Sequence, residues 1–87
     1  MACVLVPTLL RSYTGGTAEV QARGGTLAEV FADLDRQFPG FAFRVVDEHG
    51  RVRRHMVVFV GGERRDDLGA PLGEVREVQI VGALSGG

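Results

Sequence analysis

No lysine occurs anywhere in the 87-residue chain, and its ten basic residues are all arginine. That absence removes a phosphate-loop lysine, a Schiff base and any internal acceptor for isopeptide bonds. A single cysteine, Cys3, excludes an internal disulfide and any four-cysteine zinc or iron–sulfur site. Set within an apolar strand, Cys3 reads as a buried, inert thiol. Net charge is also scarce, at −1 with 24% of residues charged and the signs interspersed. This balance argues against general affinity for nucleic acid or anionic membrane. No apolar run approaches the roughly 20 residues of a membrane span. The opening Met-Ala-Cys-Val-Leu-Val-Pro lacks the basic flank of a secretory signal, so a cytoplasmic domain is expected. A chain of this length forms one domain at most and leaves little room for a deep catalytic cleft.

What is present has a readable order. Residues 2–6 are an apolar run ended by Pro7, and they predict a strand with two apolar faces, suited to the middle of a sheet. Thr14-Gly15-Gly16 signals a turn, after which Ala18, Val20 and Ala22 alternate with polar residues, predicting an antiparallel partner strand. Thr26 and Glu29 fit a capping box, each side chain answering the other's free backbone N–H. Leu27, Val30, Phe31, Leu34 and Phe38 then define one apolar helix face, with Glu29, Asp33, Asp35 and Arg36 left for solvent, until Pro39-Gly40 stops the helix. Residues 41–55 are neither cleanly helical nor extended, although Asp47 to Gly50 has the composition of a turn. Met56 to Val60 is strongly β-prone, Gly61-Gly62 turns, and Glu63 to Asp67 is polar. Leu68 and Leu72 anchor an irregular crossing through Pro71, and Val75 to Val81 alternates as a last strand around Val78 and Ile80.

Hairpin, helix, strand, crossing and strand together predict an α+β, two-layer domain, one main helix over a mixed sheet of four to five strands. The β-grasp, or ubiquitin-like, fold has this order, with its last strand parallel to its first. The expected division is a β-grasp domain over 1–82 and a flexible tail over 83–87 that ends in Gly86-Gly87. A terminal carboxylate that must thread into another protein's active site benefits from glycine, which has no side chain to block the channel and adopts many backbone angles.

The residues also carry a family resemblance. Val6-Pro7-Thr8-Leu9-Leu10-Arg11 and Thr14-Gly15-Gly16 resemble the first hairpin of small sulfur carriers of the ThiS/MoaD family. Gly25-Thr26-Leu27, Phe38-Pro39-Gly40, Val57 to Val60 and the closing Val78-Gln79-Ile80 … Ala83-Leu84-Ser85-Gly86-Gly87 are similar as well. The likeness is strongest to actinobacterial carriers used for cysteine synthesis. It implies a carrier and substrate without turnover of its own. An E1-like (MoeB/ThiF-type) adenylyltransferase/sulfurtransferase would use ATP and a sulfur donor to convert the Gly87 carboxylate to a thiocarboxylate, with Gly86 part of the same site. An acceptor enzyme would then take the sulfur for cysteine, molybdenum cofactor, thiamine or a secondary metabolite. The alternative is a ubiquitin-like modifier conjugated to lysines of target proteins. Carriers of this type often have a proline before the tail; Val81-Gly82 stands there instead, and glycine is expected to loosen the tail's base.

A helix covers only one sheet face, so Val58, Val60, Val81, Leu84 and Ser85 are candidates for a surface that binds the activating and acceptor enzymes. Val58 and Val60 have packing in the core as their other reading. Arg51, Arg53 and Arg54 form a locally basic stretch, either a solvated edge or a docking patch for an acidic partner. His49 and His55 are six residues apart with no cysteine nearby, which does not make a metal site. Gly24-Gly25-Thr26 lacks a dinucleotide fingerprint and reads as a turn, and Asp66-Asp67 is assigned no catalysis.

Overall fold

The structure, a computed structural model, describes residues 1–74 and 76–82. Its strands are β1 (Ala2–Leu5), β2 (Glu19–Ala22), β3 (Met56–Val60), β4 (Glu63–Arg64) and β5 (Glu77–Gly82). Helix α1 spans Leu27–Gln37 and a short α2 spans Phe41–Val45, with one 3-10 turn at Thr8–Leu10. The five strands form one mixed sheet in the order β2-β1-β5-β3-β4. β5 runs parallel to β1, with Val4 opposite Val78, and antiparallel to β3, with Val58 opposite Ile80. This is the β-grasp arrangement, with β1 and β5 both interior.

Strand periodicity places the core. Ala2 and Val4 of β1, Met56, Val58 and Val60 of β3, and Val78 and Ile80 of β5 all point at the helices and are buried. They meet Leu27, Val30, Phe31 and Leu34 of α1, which are buried at helical spacing. Apart from Ala2, each such side chain removed from water contributes on the order of 1.5–3 kcal/mol.

The start of α1 departs slightly from a reciprocal capping box. The Glu29 N–H donates to the Thr26 hydroxyl at 3.1 Å, as expected. The Glu29 carboxylate instead accepts from the Gly25 N–H, at 2.7 Å. It reaches one residue further back than the motif requires and fastens the β2–α1 connection.

Residues 41–55 resolve into α2 and a turn. Phe41 and Val45, four residues apart, are both buried, and this single apolar pair explains why so short a segment is helical. Gly40 at φ 91° reverses the chain between the helices. Asp35 is exposed, as expected, yet its Oδ1 also accepts from the N–H groups of Gly40 and Ala42 at 3.1 and 3.3 Å, so α1 caps α2. Asp47 closes the following turn by accepting from the N–H groups of His49 and Arg51.

Leu72 is buried and Leu68 half-buried along the crossing, with Pro71 bridged to Thr26. Val75, expected to open the last strand, lies outside the described residues, as does the expected tail over 83–87.

Candidate functional site

The site lies where β5 leaves the sheet. Gly82 closes the strand opposite Met56, and the Leu9 side chain of the 3-10 turn lies directly over it. A Cβ built on residue 82 falls well inside 3.0 Å of Leu9 Cδ2. Glycine here admits a neighbouring side chain against the backbone; the expectation that it loosens the tail's base concerns residues 83–87, which lie outside the described residues. The turn is itself held: the Arg11 Nε donates to the Val6 carbonyl at 3.1 Å, and the buried Thr14 hydroxyl donates to the Thr17 carbonyl at 2.7 Å. Between this turn and β5 runs an open groove of about 660 Å³, lined by Leu5, Pro7, Thr8, Leu9 and Val81 among others.

The groove opens onto the sheet face that no helix covers. Leu5 stands opposite Gln79, Gln79 opposite Phe59, and Val81 opposite Val57. Leu5, Val57, Phe59 and Val81 are half-buried there, forming an apolar strip beside the strand end. Two of the residues expected on this surface are elsewhere: Val58 is 0% and Val60 is 5% exposed. Their pairing with Ile80 and Val78 fixes them on the helix side, so their odd-numbered neighbours Val57 and Phe59 occupy the face instead. The signal for this was the register of β3 against a strand whose inward residues were already legible. Val81 lies on the open face. Leu84, Ser85, Gly86 and Gly87 lie outside the described residues.

Cys3 also faces this side and is half-buried, not buried as expected. Its thiol donates to the Glu19 carboxylate across the strand pair, at 2.5 Å. That hydrogen bond, followed by desolvation and the negative charges of Glu19 and Glu77, pushes the thiol up to about 11. The shift disfavours the reactive thiolate, through the Glu19 hydrogen bond first and desolvation second.

Elsewhere, His49 sits 3.9 Å from Glu48 on the surface. Among the described residues, no three His, Cys, Asp or Glu side chains come together in a way that could hold a metal ion, and no helix is long and apolar enough to cross a membrane.

No family model matches the chain. Individual proteins do. The sulfur carrier proteins CysO of Mycobacterium tuberculosis and Mycobacterium bovis are 33% identical over 89 residues, covering 97% of this chain and 96% of theirs. The chain belongs to the CysO family of sulfur carriers. As a family member it is a carrier protein and not an enzyme. Crystallised Mycobacterium tuberculosis CysO superposes with a TM-score of 0.88 at 30% identity, over 97% of this chain and all of that one. CysO from Amycolatopsis orientalis, solved as a complex with BexX, gives 0.89 at 31% identity with both chains fully covered. SAMP1 of Haloferax volcanii shares the fold, with a TM-score of 0.72 at 24% identity. The ubiquitin-like relationship inferred from the first hairpin and the closing strand thus holds along nearly the whole chain.

Proposed function

We propose that this carrier holds sulfur as a thiocarboxylate on Gly87, made and consumed by two partner enzymes that dock beside the end of β5. A Gly87 carboxylate oxygen attacks the α-phosphorus of ATP in an E1-like, MoeB/ThiF-type adenylyltransferase, and pyrophosphate leaves. A sulfide-level donor then attacks the acyl carbon and expels AMP, giving Gly87-CO-S⁻ and releasing the donor's proton. The acceptor enzyme takes that sulfur into a biosynthetic product, with cysteine the pathway that the resemblance to actinobacterial carriers favours.

The observation that carries this reading is the placement of Gly82. It ends an interior strand, beside the apolar strip of Leu5, Val57, Phe59 and Val81, and Gly86-Gly87 lies beyond it in the sequence. An enzyme seated on that strip would lie beside the point at which the described strand ends. Support for a partner enzyme comes from the Amycolatopsis CysO, which was solved with BexX. The relatives' stated role also favours sulfur carriage over conjugation to lysines.

Incubation with a cognate activating enzyme, ATP and sulfide tests the proposal by intact mass. The carrier should gain the mass difference between sulfur and oxygen, and a chain lacking Gly87 should not. An unchanged mass with an enzyme that loads its own carrier would overturn it.

A further inference from the structure

A second groove, of about 550 Å³, flanks the same strand end on the opposite side of Leu9. Leu9, Tyr13, Phe43, Arg44, Arg53 and His55 line it. Its position is tied to the exit of β5 twice over: Leu9 packs on Gly82, and His55 directly precedes Met56, the partner of Gly82.

The groove has two properties that the core does not explain. First, it keeps large apolar groups in water: Phe43 is 53% and Leu9 is 38% exposed. Second, it holds two guanidinium groups in place. The Arg44 guanidinium lies 5.7 Å from the centre of the Tyr13 ring, and its Nε donates to the Tyr13 hydroxyl at 2.6 Å. The Arg53 guanidinium lies 4.5 Å from the centre of the Phe43 ring, and its Nε donates to the Phe43 carbonyl at 2.7 Å. In both, the internal bond uses Nε alone, leaving the paired Nη groups that grip a carboxylate.

Among the described residues the ion pairs are Arg36–Asp33, His49–Glu48, Arg64–Asp66 and Arg65–Glu63. None involves Arg44, Arg53 or His55. The Arg53 charge also helps hold the Asp47 carboxyl low, as the last influence on it after the Arg51 N–H, an opposing desolvation, and the N–H and charge of His49. A chain of net charge −1 thus gathers cations that form no ion pair among the described residues, interleaved with exposed apolar surface, beside the strand end that precedes Gly86-Gly87. Arginines already fixed by stacking lose little further freedom on binding.

We propose that this groove docks an acidic peptide segment of the enzyme that receives the carrier's terminal residues, its carboxylates meeting Arg44 and Arg53 and an apolar side chain covering Phe43 and Leu9. The inference rests on the carrier reading above. A small oxyanion would leave the apolar half of the groove uncovered, and the overall negative charge disfavours a nucleic acid strand.

The test uses the ¹⁵N-labelled full chain and a capped octapeptide alternating glutamate with phenylalanine and leucine. Amide shifts should cluster at Leu9, Phe43, Arg44, Arg53 and His55. The glutamine version of the peptide and the double variant R44Q/R53Q should each bind about tenfold more weakly or worse, while R64Q/R65Q binds as the parent does. If R44Q/R53Q does not fold, R44K/R53K replaces it, and lysine's lack of a fork should still weaken binding severalfold. Shifts located elsewhere, equal binding of both peptides, or equal shifts from inorganic phosphate or oligo(dT) would overturn the proposal. With the activating enzyme, R44Q/R53Q should raise KM for the carrier at little change in kcat. Failure of the parent to load would strike the carrier reading; a parent that loads beside an R44Q/R53Q variant of unchanged KM would strike this inference alone.

Discussion

The side chain of Leu9 occupies the space in which residue 82 would carry its Cβ. The 3-10 turn and the end of β5 are therefore one packed unit, and the two positions should be energetically coupled. G82A should destabilise the domain by about 1 kcal/mol, because the displaced atom belongs to the flexible, partly exposed end of Leu9. In an L9A background the same substitution should cost about half as much or less. Urea unfolding of the four proteins measures the coupling; equal costs in both backgrounds would show that the two residues do not share that space.

Neighbouring valines of β3 should separate core from face. V58A removes two fully buried methyl groups opposite Ile80 and should cost about 2 kcal/mol, including the cavity it leaves. V57A, half-buried on the open face, should cost under about 1 kcal/mol yet weaken association with an activating enzyme. Reversed costs would mean that the strand's faces are exchanged.

Thr26 supplies the side-chain cap of α1. T26A should lower stability by about 1 kcal/mol, and T26S should restore most of it. A chemical-denaturation midpoint that does not move in T26A would remove the cap from the account.

Two groups set opposite pH limits. The folded-state value of the Cys3 thiol is raised to about 11 from 9.0. Its contribution to stability is therefore complete below the ordinary thiol value and is lost as pH climbs from there through the folded value. The Asp33 carboxyl is held low, chiefly by the Arg23 N–H and then by Arg36, so its contribution is present above the ordinary carboxylate range and fades as pH falls through the lowered value. Iodoacetamide labelling of Cys3 should follow a titration centred near 11 in the native chain, and E19Q should move that midpoint down. Labelling centred near the ordinary thiol value would show that the Glu19 contact is not formed.

Most of the fold was legible because its signals are local. The Thr26 cap, the Leu27–Leu34 stripe and the Pro39-Gly40 stop mark α1 without reference to any partner. What escaped depends on partners. Met-Val-Val-Phe-Val is apolar at every position, so which of Val57 and Val58 faces inward is set by the register against β5, which no composition reveals. α2 is one turn held by Phe41, Val45 and a cap reaching from Asp35, a contact between elements. The packing at Gly82 escaped for the same reason: it comes from Leu9, 73 positions away in the chain. Of the candidate site, Val81 takes a place on the open face, Val58 and Val60 do not, and the arginine-lined groove was legible only as the charge of Arg51, Arg53 and Arg54. The aromatic rings that orient its two guanidiniums, those of Arg44 and Arg53, belong to Tyr13 and Phe43, outside that stretch.

The interior position of β5 also has a mechanical consequence. One ladder ties it to β1 over three residue pairs and another ties it to β3 over five. A pull applied beyond Gly82, along the strand axis, loads both ladders in shear, so their hydrogen bonds resist together instead of unzipping one by one. A load on that end is thus shared by the two ladders from the start.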